Sequence, residues 1–96
     1  MSETITDQKF RELADTFIHL ANEHSETVPH DKLGAAFLYG AARFNAFVAY
    51  VESKSRAQFS GDKEKAVAFF LMQYEKMLRE HLDDHETHYD RFKGGE

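Results

Sequence analysis

Cysteine and tryptophan are both absent from this chain. Without cysteine there is no disulfide, no thiolate metal site and no cysteine nucleophile. One proline and five glycines in 96 residues are too few for a sandwich or barrel, which turns roughly every ten residues. Basic charge is also scarce. The net charge is −5 with histidines neutral, and the twelve basic side chains are scattered without a stripe. Binding to a phosphate backbone draws its affinity largely from Lys and Arg, so no nucleic-acid partner is expected. A Gly-x-Ser-x-Gly elbow and a glycine-rich phosphate loop are missing too, which removes two familiar catalytic arrangements. The opening residues MSETITDQKF lack the basic region and apolar run of a secretory signal. A cytoplasmic location is the expectation.

What the chain does have is helix-forming composition, rich in Ala, Leu, Glu, Lys, Arg and Met, and apolar residues at helical spacing. The periodicity predicts a first helix over about 5–24. Phe10, Leu13, Ala14, Phe17, Leu20 and Ala21 form one stripe, with Glu12, Asp15, His19 and Glu23 opposite. Thr4 and Asp7 have capping-box spacing. Pro29 ends that pattern, because proline lacks an N–H and disfavours helical geometry in the residue before it.

The second helix is expected over about 31–54 and is the most informative segment. Its nineteen residues Leu33–Val51 carry only two strongly polar side chains, Arg43 and Asn45. A helix apolar on all sides needs cover on all sides. The main stripe runs through Leu33, Phe37, Gly40, Phe44, Phe47, Val48 and Val51, and the back face is small and almost uncharged. Gly40 costs up to ~1 kcal/mol against alanine in a helix interior, so close backbone packing is its expected reason. Nineteen residues also reach the length of a membrane span. Arginine at a bilayer centre costs at least ~2.5 kcal/mol, however, and no membrane partner is expected.

Gly61 and its polar neighbours predict a loop over residues 55–62, with Ser60 or Asp62 capping a third helix over about 62–92. The stripe of that helix is Val67, Phe70, Leu71, Tyr74, Met77, Leu78, Leu82 and Tyr89. Residues 93–96 read as a frayed tail. Short connections imply antiparallel neighbours. The fold class is therefore an all-α, up-down-up three-helix bundle, a single domain over 1–96 with a long C-terminal helix. One such bundle covers each helix over only part of its circumference, so the second helix predicts a homo-oligomer, most simply a dimer. Its expected contact is Leu38, Ala42, Asn45, Ala46 and Ala49, with Phe69 and Met72 adjacent.

Two groups of residues could carry chemistry. Arg43 lies at the edge of the main stripe with Tyr39, Phe47 and Tyr50 nearby, so partial burial is expected. A guanidinium there needs acceptors: a carboxylate of another helix, or a small bound anion with Tyr39 and Tyr50 as hydroxyl donors. Asn45, on the alanine face, would fix the register of a helix contact. On the third helix His81, His85 and His88 are spaced i, i+4 and i+7, with Asp84 beside them. That ladder suits a divalent transition metal such as zinc. The stronger alternative is packing residues near a helix end, where the dipole favours a protonated imidazole, and a third is a pH-sensitive contact. No other cofactor is implied.

The segments FIHLANEHS at Phe17–Ser25 and LGAAFLYGAARFNAFVAY at Leu33–Tyr50, with ARFNAF at Ala42–Phe47 the most specific part, resemble a small proteobacterial domain-of-unknown-function family, DUF3144. The resemblance implies a short all-helical bacterial protein and brings no activity, substrate or site residue. Three functions follow as expectations. The first is a non-catalytic module for self-association or protein interaction, since no complete catalytic set is present. The second is a metal-binding bundle at the histidines. The third is a small-anion binder at Arg43.

Overall fold

The structure, a computed structural model, describes residues 4–94, with side chains through residue 91. Among the described residues it is all helix and turn. Helix α1 spans Asp7–His24, α2 His30–Glu52, α3 Arg56–Thr87, and the short α4 Tyr89–Gly94. The chain divides into two units, 1–48 and 49–96, with the boundary falling inside α2.

In the first unit, α1 is capped by Thr6 rather than Thr4. The Thr6 Oγ1 accepts from the Lys9 backbone N–H at 3.1 Å, satisfying one of the orphan donors of the first turn. At the other end the Ser25 N–H bonds the Ala21 carbonyl, and Val28 N–H reaches the His24 carbonyl at 3.0 Å. The chain then turns through Pro29, whose carbonyl accepts from Leu33 N–H at 2.9 Å in the first turn of α2. Proline there gives up a donor that a helix start leaves unpaired in any case.

The second unit corrects the expected loop. Only Ser53–Ser55 separate α2 from α3, and α3 begins at Arg56. Ser55, not Ser60 or Asp62, is its cap. The Ser55 Oγ accepts from Gln58 N–H at 3.0 Å, while the Gln58 side-chain carbonyl accepts from Lys54 N–H at 2.6 Å. This is a reciprocal cap of the Ser-x-x-Gln kind, shifted by one residue on the return bond. Gly61 lies inside the helix, where an added Cβ would meet nothing within 4 Å. The third helix also ends earlier than expected. His88 leaves helical geometry at φ −112°, ψ 26°, and its N–H closes on the Asp84 carbonyl at 3.1 Å. Helix α4 then carries the chain to Gly94, so residues 93 and 94 are helical rather than frayed. The remainder of the expected tail, residues 95 and 96, lies outside the described residues.

Packing is the larger finding. Among the described residues none is buried. Among the described residues, α1 and α2 do not pack against each other in the first unit, and in the second α4 packs on α3 while Tyr50 and Phe59 meet at the α2–α3 corner. The stripes read from the periodicity exist as helix faces, yet they stay open. Phe17 of α1 is 55% exposed and Leu71 of α3 65%. Isolated helices gain little from their own hydrogen bonds, and most helical stability in proteins comes from tertiary packing of an apolar face. Each unit therefore presents the faces of a core without the core.

Candidate interaction surface

Helix α2 is regular from His30 to Glu52. That regularity places Leu38, Ala42, Asn45, Ala46 and Ala49 along one side and Phe37, Phe44 and Phe47 along another. Both sides are open. Leu38 is 52% and Phe44 64% exposed. Asn45, Val48 and Ala49 are half-covered. The Phe44 and Phe47 rings meet with centroids 6.1 Å apart. Such a pair gives mutual contact but shields neither ring from water on its outer side.

Gly40 does not receive the close backbone expected of it. A Cβ built there meets nothing within 4 Å, and the same holds at Gly34. On α3, Phe69 and Met72 are also more than half exposed, and Phe69 packs edge-on to Phe70 with centroids 5.3 Å apart.

The polar residues of α2 correct a second expectation. Arg43 is exposed rather than partly buried, and among the described residues of its unit α1 does not pack on α2. Among the described residues no carboxylate pairs with it. Tyr39, four residues before it, is 72% exposed, and Tyr50, seven residues after it, is exposed as well. Tyr50 instead stacks edge-on against Phe59, centroids 6.3 Å apart, across the α2–α3 corner. Tyr39, Arg43 and Tyr50 thus follow one row along the α2 surface.

The histidine ladder is broken at its last rung. His81 and His85 stand one turn apart within α3, but His88 is the C-cap. Its Nδ1 lies 3.1 Å from the Asp84 carbonyl oxygen and 3.4 Å from the Asp84 carboxylate. His85 also has an interaction of its own. No group of three or more potential metal ligands converges among the described residues.

The capping pair Ser55–Gln58 escaped the reading of the chain, although Ser-Arg-Ala-Gln is itself a capping signal. A helix start there would have moved residues 56–62 from loop to helix.

These features define an all-α protein of three main helices whose prominent surface is a set of unpartnered apolar faces. Among the described residues no helix is long and apolar enough to cross a membrane. Residues 10–86 match the model of a family described as a protein of unknown function, DUF3144, and the chain belongs to that family. No curated protein and no solved structure matches it.

Proposed function

We propose that this protein is a helical self-association module that acts without catalysis of its own. A second copy supplies the cover that α2 needs, through Leu38, Ala42, Asn45, Ala46 and Ala49 with Phe69 and Met72 adjacent, and the antiparallel bundle is completed between chains. The observation that carries this reading is the exposure of both sides of α2, a helix with almost no charge between Leu33 and Val51. Apolar burial contributes about 25 cal/mol per Å², and an uncovered aromatic helix forgoes most of it. A monomer with such a surface is prone to associate, and two-fold dimers are the commonest closed assembly. Asn45 would select the register of that contact. A cytoplasmic setting belongs to the same proposal, and cell fractionation tests it.

Light scattering at micromolar concentration tests the assembly. The expected result is a discrete oligomer that Ala46→Glu dissociates, with loss of helicity. A strict monomer, whose helicity and melting Ala46→Glu leaves unchanged, would end the proposal.

A second reading rests on α3. His81 and His85 share one face of a continuous helix with Asp84 between them, and a carboxylate from a second subunit would complete a tetrahedral set. Elemental analysis of untagged protein and melting with excess zinc decide it. Zinc bound well above its Kd raises the melting temperature by mass action. Protein that holds no metal and melts unchanged in zinc would rule it out.

A further inference from the structure

Helix α3 is charged against its own dipole. Its first turn holds Arg56 and no acid, and the only basic residue of its last turn is His85. Glu80, Asp83, Asp84 and Glu86 crowd the C-terminal end. A helix N-terminus favours acids and a C-terminus favours bases, so this order is unfavourable for α3 alone. Residues 56–71 hold three basic against two acidic side chains, whereas residues 72–87 hold two against five. Arg79 of the second half is already engaged by Glu75 at 2.8 Å, which leaves the acids at the end still less compensated.

The apolar stripe lies between these ends. Val67, Leu71, Tyr74, Met77 and Leu78 are all exposed, and within this unit the described contacts on α3 are those of α4 and of Tyr50 with Phe59. One occupant answers both the stripe and the charge order: a helix with the same stripe and the reverse charge sequence. A second α3 running the opposite way is such a helix.

We propose that two copies of this chain pair through α3 in antiparallel register about residues 72–73, an inference that rests on the self-association reading. Val67 then faces Leu78 of the second copy and Leu71 faces Tyr74. Lys63 falls level with Leu82, and Asp84 is the acid on the same flank of the contact. The two helix dipoles oppose, and each basic end lies along an acidic end. A parallel pair would set Lys63 beside Lys63 and the acidic ends together. Because the contact is two-fold, every such pairing occurs twice.

The absence of cysteine allows a single spin label to be placed without background. Labels at Ala57→Cys are expected about 45 Å apart in the antiparallel pair, from the 1.5 Å rise per residue. A parallel pair brings them within about 25 Å. Charge reversal gives an independent reading. Lys63→Glu and Asp84→Lys each weaken self-association about tenfold, and the double variant regains most of the loss, since each attraction becomes a repulsion and then an attraction again. Circular dichroism shows that each variant keeps its helix. An oligomer with Ala57 labels within about 25 Å, or a double variant no tighter than either single one, overturns the antiparallel α3 pairing alone. A chain that stays monomeric overturns the self-association reading and this inference together.

Discussion

Helices α1 and α2 are neighbours in sequence and opposites in chemistry. Helix α1 ties its polar side together with local pairs: Gln8 to Glu12 at 3.1 Å, Lys9 to Glu12 at 4.0 Å and His19 to Glu23 at 3.3 Å. All are three or four residues apart, the spacing at which helix side chains meet. Helix α2 has no ion pair among the described residues, and between Leu33 and Val51 it has a single charge. A helix like α1 tolerates water on one side for good, because that side is built for it. A helix like α2 has no such side. The same exposure therefore means different things in the two elements: on α1 half of it falls on a side built of charged and polar residues, and on α2 nearly all of it falls on apolar or small ones.

Substitutions sharpen this contrast in descending order of effect. Phe47→Ala removes a large side chain from the α2 stripe and is expected to destabilise the assembly by about 3 kcal/mol, a core-like loss. Phe10→Ala, at the edge of α1, serves as the comparison and should cost less. Urea unfolding at fixed protein concentration measures both. Ser55→Ala removes the α3 cap and is expected to cost about 1 kcal/mol, read from the same curves. Gly40→Ala separates the two accounts of α2 by sign. In the open chain it is stabilising by up to about 1 kcal/mol. At a closely packed helix contact it is destabilising, and the Gly61→Ala control in α3 is stabilising in either case. Glu12→Gln on the wet side of α1 should shift stability by less than about 0.5 kcal/mol.

The helices were legible where punctuation and periodicity agreed. Pro29 separates α1 from α2, and the observed bounds of 7–24 and 30–52 fall within two residues of those read from the chain. The start of α3 was not legible because Gly61 and its serines resemble a loop by composition. The local hydrogen bonds of Ser55 and Gln58 decide the matter, and they lie five residues upstream of the expected site. Its end was hidden for a similar reason. Three histidines at helical spacing suggest one unbroken face, and nothing in that spacing signals that His88 turns back onto Asp84. The exposure of Arg43 was not legible, because burial depends on a packing helix and a stripe does not say which helix packs on it. The apolar faces themselves were fully legible, from Phe10 to Leu82.

Hydrogen exchange along a dilution series tests the central claim most directly. If α2 owes its shelter to a second copy, the amides of Leu33–Val51 are protected at micromolar protein and lose that protection as dilution drives dissociation. Protection in α2 that is the same at every concentration, in a species shown to be monomeric, would contradict the account.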